Sequence, residues 1–101
     1  MPFLLILTTV GQADDAQRLA HTLVEEGLCA CAQIEEIRSI YRWQGEVVSE
    51  PEWRILFKAA PDRYAQIKQR LAQLHPYELP AIYSLRPDQA LPAFADWVAG
   101  R

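Results

Sequence analysis

The 101-residue chain contains no asparagine, four glycines and two cysteines. Each scarcity removes a class of function. Acylphosphatase-type enzymes need an anion-cradling, glycine-rich loop with arginine and asparagine; the loop here is Val10-Gly11-Gln12-Ala13, with no arginine before Arg18. No Ser-His-Asp, Cys-His or paired-carboxylate set is evident, so the chain reads as non-enzymatic. RNA-recognition domains carry a basic, aromatic, glycine-containing central strand, whereas Trp53-Arg54-Ile55-Leu56-Phe57-Lys58 has no glycine. A net charge of -3 without any basic run argues against nucleic acid as a partner. The opening Met1-Pro2-Phe3 has no basic region, and the apolar run to Leu7 is too short for a signal peptide or a membrane span. The expected location is the cytoplasm, with no membrane partner. Cys29 and Cys31 suit a reducing compartment. On a strand their Cα atoms lie ~6.5–7 Å apart, at or beyond disulfide reach, so both read first as small buried hydrophobes. Neither Cys-x-x-Cys nor His-x-x-x-His occurs, which leaves no dedicated metal motif.

What the chain does contain is ordinary globular material, half of it hydrophobic, enough for one domain spanning residues 1–101. Phe3 to Thr9 is a continuous apolar run ending in two threonines, which predicts a strand covered on both faces. Ala13 to Glu26 carries Ala16, Leu19, Ala20, Leu23 and Val24 at helical spacing, with Asp14 and Asp15 in the first turn and Gly27 placed to end the helix. A strand from Cys31 to Trp43, a turn at Gln44-Gly45 and a return over Val47 to Ala59 make a hairpin, with Pro51 expected at a bulge or an unpaired edge. Pro61 starts a second helix with Tyr64, Ile67, Leu71 and Leu74 inward, and Pro76 forbids its continuation. Ala81 to Leu85 reads as a last strand. Pro87-Asp88 is expected to open a terminal helix with Leu91, Phe94, Trp97 and Val98 inward. The fold class is therefore α+β: a ferredoxin-like βαββαβ unit with a long central β-hairpin and an extra C-terminal helix.

That hairpin is too long for its domain. Thirteen residues from Cys31 to Trp43 span about 43 Å as one strand, against a radius of gyration near ~13 Å for ~100 residues. The far end carries Ile40, Tyr41, Trp43, Val47 and Val48. A bare two-stranded ribbon is marginal in water, and exposed aromatics on open edges invite association. The arm is expected to pack on another copy of the same chain, making a homo-oligomer. The alternative is a hairpin bent sharply back over its own sheet at Pro51.

Function is sought at His75-Pro76-Tyr77-Glu78-Leu79-Pro80, a junction whose path two prolines fix and which presents an imidazole, a phenol and a carboxylate. His75 is the best single metal-ligand candidate, imidazole suiting copper, zinc and nickel; its other role is to hydrogen-bond the last carbonyls of the helix. Cys31 is a soft-ligand candidate or a core thiol. Trp43, Lys58, Tyr77 and Glu78, with Tyr41 beside them at the arm, form a second constellation. If one subunit's arm tip reaches another's junction, these side chains line an intersubunit cleft for a small ligand; otherwise they form an interface network.

Several of these stretches in order resemble the CutA family of divalent-cation tolerance proteins. They are Thr8-Thr9 before a short loop, Leu28-Cys29-Ala30-Cys31-Ala32, Ser39-Ile40-Tyr41-Arg42-Trp43-Gln44-Gly45, Lys58, and His75-Pro76-Tyr77-Glu78-Leu79-Pro80. The resemblance implies a homotrimer of ferredoxin-like subunits akin to PII-type signalling proteins, and divalent metal, copper in particular, as a ligand. The family metal site uses a cysteine at the end of the first strand and two adjacent histidines. Here those positions are Thr8 and Leu74-His75, so His75 alone is kept. The expected function is a homotrimeric divalent-cation tolerance protein that binds copper or another divalent ion. The alternative is a PII-like regulatory module that takes a small molecule or a protein partner in its cleft.

Overall fold

A computed structural model describes residues 2–100; Met1 of the opening tripeptide and Arg101 lie outside them. The chain runs β1 (Leu4–Val10), α1 (Ala13–Glu25), β2 (Cys31–Trp43), β3 (Glu46–Ala59), a 3-10 turn (Pro61–Arg63), α2 (Tyr64–Leu74), β4 (Tyr83–Leu85) and α3 (Pro92–Val98). The four strands form one antiparallel sheet in the order β2-β3-β1-β4. This is the ferredoxin-like arrangement with an added C-terminal helix. No helix is long and apolar enough to cross a membrane among the described residues.

The core lies between α1, α2 and one sheet face. Ile6 and Val10 of β1, Ile55 and Phe57 of β3, Leu19 and Leu23 of α1, and Ile67 and Leu71 of α2 are fully buried in it. On β3 alternate residues supply that face, which is why Trp53, Ile55 and Phe57 recur every second position, whereas β1 is apolar almost throughout. Both helices end where their sequences require. At the end of α1, Gly27 takes φ +74°. Its N–H bonds Val24 O at 3.0 Å while the Leu28 N–H bonds Leu23 O at 3.1 Å. That paired closure needs a left-handed residue, which glycine adopts without a Cβ clash. At the end of α2, His75 is extended, the conformation that a following proline imposes.

The β2–β3 ladder is unbroken from Cys31↔Lys58 to Trp43↔Glu46. Gln44 and Gly45 close it with φ +49° and +82°, the two-residue turn whose twist matches that of the strands. Pro51 makes no bulge, because the register runs through it at Arg38↔Pro51. It sits beyond Val10↔Trp53, where the pairing of β3 with β1 ends, so its missing N–H costs no ladder bond on that side. The ribbon therefore extends straight, and the molecule measures 46 × 26 × 21 Å. Ile40 and Val47 on it remain 69% and 67% exposed.

The C-terminal part departs from expectation. The terminal helix begins at Pro92 instead of Pro87, because a proline inside a helix would lack its N–H donor while one at the first position loses nothing. Of its expected inward set only Val98 is buried; Leu91, Phe94 and Trp97 are exposed in the single chain. Phe94 packs edge-on to Phe3 and stacks with Trp97. The last strand is also shorter, pairing with β1 only from Leu7↔Tyr83 to Leu5↔Leu85. Ala81 turns aside with the proline-rich junction.

Candidate functional site

The polypeptide between α2 and β4 runs past the C-terminal end of β1, and its side chains reach back in two places. The first is His75. Its Nε2 lies 3.0 Å from Thr8 Oγ1 and 3.0 Å from Thr9 O, while Nδ1 accepts the Tyr77 N–H at 3.1 Å. A nitrogen that accepts an N–H carries no proton, so this network assigns the proton to Nε2, which donates to the Thr9 carbonyl. The ring is buried. Burial lowers its pKa below the usual imidazole range, partly offset by the bond to Thr9 and by the charges of Asp15 and Glu52, while Arg18 adds to the lowering.

The second contact is Tyr77. Its hydroxyl donates to Glu52 Oε2 at 2.7 Å. Glu52 lies on β3 just beyond the end of β1 and is only 7% exposed. The phenol passes so close to Gly11 that a Cβ there would stand 3.1 Å from the hydroxyl oxygen. Burial, and then the bond to Glu52, push the Tyr77 phenol well above its ordinary pKa, so it stays a donor. On the ribbon Tyr41 repeats the motif by donating to Glu50. That bond and partial burial push its pKa up to about 12.

Between ribbon and junction lies an open cleft of about 630 Å³. Tyr41, Trp43, Glu50 and Glu52 line it from the ribbon, and Tyr77 and Glu78 from the junction. Tyr41, Trp43, Tyr77 and Glu78 are thus brought together within one chain. The ribbon base and the junction meet because both lie past the end of β1. Lys58 does not join them. It sits at the opposite end of β3, opposite Leu5 and Cys31, and its ammonium donates to Gln33.

Cys31 and His75 do not converge either. Cys31 shares a row of the sheet with Lys58 and Leu5, whereas His75 sits at Thr8. Three residues along and two strands across put Cys31 ~14 Å from Thr8. Both ring nitrogens of His75 are engaged in hydrogen bonds, and no group of three or more His, Cys, Asp or Glu positioned to hold a metal ion occurs among the described residues. These side chains do not fit a resident divalent metal, which requires several converging ligands. Cys29 is buried, Cys31 half-buried, and both are free thiols.

Glu50 and Glu52 escaped the sequence reading, and Thr9 entered it only as the end of the first strand. A signal for the two carboxylates was available: counting back by twos from Lys58 and Arg54 along β3 places Glu52 and Glu50 on the strand face away from Phe57. What the count does not supply is Tyr77, whose approach depends on how the junction travels.

Residues 4–101 match the profile of the CutA1 divalent ion tolerance protein family. The divalent-cation tolerance protein CutA of Thermus thermophilus is 39% identical over 94 residues, 92% of this chain and 91% of that protein. The solved structure of CutA from Synechococcus elongatus superposes with a TM-score of 0.91 at 40% identity, covering 97% of this chain and 88% of that one. A structure described as the PII-like protein CutA from Nostoc, in apo form, superposes with a TM-score of 0.90 at 36% identity, covering 96% and 94%.

Proposed function

Because the chain belongs to the CutA1 divalent ion tolerance family, we propose that it is a homotrimeric, non-enzymatic divalent-cation tolerance protein of PII-like build. Its working site in this reading is the cleft between ribbon and junction, and its ligand is a small molecule. The observation that carries the reading is the meeting of Tyr41 and Trp43 with Tyr77 and Glu78 around a cavity of about 630 Å³, a size ordinary for small-molecule sites. Cation tolerance then follows from what this cleft binds, and the copper expected at His75 and Cys31 has no place in it.

Oligomerisation is supported by what the single chain leaves uncovered. Ile40 and Val47 on the ribbon, Tyr83 and Leu85 on the short edge strand, and Leu91 and Trp97 around α3 are each about half exposed or more. A neighbour would cover such surface; the number three comes from the family resemblance. We place the protein in the cytoplasm on the strength of its two free thiols. The test pairs light-scattering mass with calorimetric titration of purified protein against copper and against a metabolite panel. The reading predicts a trimer mass and saturable binding of a metabolite that Trp43→Ala weakens. Stoichiometric copper binding lost with His75→Ala would replace it by the metal reading.

A further inference from the structure

The ligand-cleft reading leaves the chemistry of the ligand open, and the lining narrows it. Three aromatic side chains, Tyr41, Trp43 and Tyr77, share the cleft with three carboxylates, Glu50, Glu52 and Glu78. No lysine, arginine or histidine lines it among the described residues. Ring faces and carboxylates both attract positive charge, and neither attracts an anion. A hard metal ion needs many oxygen ligands in a shell. Aromatic walls supply none, but they suit a weakly hydrated organic head or its alkyl stem.

Glu52 adds direction. The residue is nine-tenths buried, its Oε2 takes the Tyr77 hydroxyl, and its Oε1 accepts no hydrogen bond from the described residues. That second oxygen still reaches solvent and is left as a free acceptor, since an ionised carboxylate can take several donors. An N–H of positive charge entering from the cleft completes it. The two phenols fix Glu50 and Glu52 by donating to them, so the acceptor geometry exists before any ligand arrives.

We propose that the cleft binds a small organic cation, a primary alkylammonium or a guanidinium, with its charged head on Glu52 and Glu50 and its stem against Tyr41 and Trp43. This rests on the ligand-cleft reading and is narrower than it. The test titrates the full chain with butylammonium, butanol and butyrate while Trp43 fluorescence is followed; Trp43→Phe identifies the signal against Trp53 and Trp97. Butylammonium is expected to bind at least about tenfold more tightly than butanol, and butyrate not at all. Glu52→Gln keeps an acceptor for Tyr77 and removes the charge, and it is expected to weaken butylammonium about tenfold. Should that buried change unfold the chain, Glu50→Gln on the ribbon reads the same loss. Equal or tighter binding of butanol or butyrate overturns the cation class and leaves the cleft reading standing. No Trp43 response to any of the three overturns the inference, while the metabolite panel separately decides whether the cleft is a site.

Discussion

Tyr77 and Glu52, 25 residues apart in the chain, meet in one hydrogen bond of 2.7 Å that fastens the proline-rich junction to the base of the ribbon. The junction has His75 at its start, holding the end of β1, and this bond two residues later. Between them they fix one wall of the cleft.

Removing the Tyr77 hydroxyl leaves a nine-tenths buried carboxylate without its donor. Tyr77→Phe should cost about 1–3 kcal/mol, the penalty for an unsatisfied buried polar group. Urea unfolding measures it, and a midpoint equal to that of the parent chain would mean that water serves Glu52 equally well.

Gly11 is small because Tyr77 crosses it. In Gly11→Ala the new Cβ meets the phenol oxygen at 3.1 Å, tighter than normal contact, so the ring must give by a few tenths of an ångström. A loss smaller than that of Tyr77→Phe is expected. The two changes share one contact and should not add, so in the Tyr77→Phe background Gly11→Ala becomes nearly neutral. Full additivity in a double-mutant cycle would show that the crowding lies elsewhere.

Stability should decline below neutral pH because of His75. Its folded pKa lies below the ordinary 6.5, burial being the largest cause. The unfolded chain then binds the extra proton first. The contribution is therefore fully present above about pH 6.5 and is lost as pH falls towards the folded value. One group gives a slope of at most about 1.4 kcal/mol per pH unit. Unfolding free energies measured between neutrality and pH 5 check this, with His75→Gln expected to flatten the profile relative to the parent. An unchanged slope in that variant would remove His75 as the cause.

Ile40 lies 69% exposed on the ribbon. If neighbours cover it, Ile40→Glu should lower the particle mass from three times the 11.5 kDa subunit without altering the far-ultraviolet circular dichroism of the subunit. A surface substitution outside an interface changes stability by less than about 0.5 kcal/mol. An unchanged trimer mass would take this part of the ribbon out of the interface.

Local pattern was enough for much of the fold. The alternation Trp53, Ile55, Phe57 gave the core face of β3, the Ala16–Leu19–Leu23 spacing gave the buried face of α1, and Gly27 and Pro76 marked the two helix ends. Pro92 showed the limit: it was present in the sequence, yet Pro87 looked as good a start until the interior proline was weighed.

Order and period along the chain thus determined the elements, their sequence on the sheet and the length of the ribbon, because these follow from short-range sterics and from which residues must leave water. The tertiary structure alone decided that Tyr77 reaches Glu52, that Trp43 and Tyr41 share a cleft with Glu78, and that Lys58 and Cys31 stand apart from them. Those contacts join residues 25 or more positions apart or separate residues that the sequence made look equivalent. They depend on the path of one proline-bounded junction past the end of β1, which no local periodicity encodes.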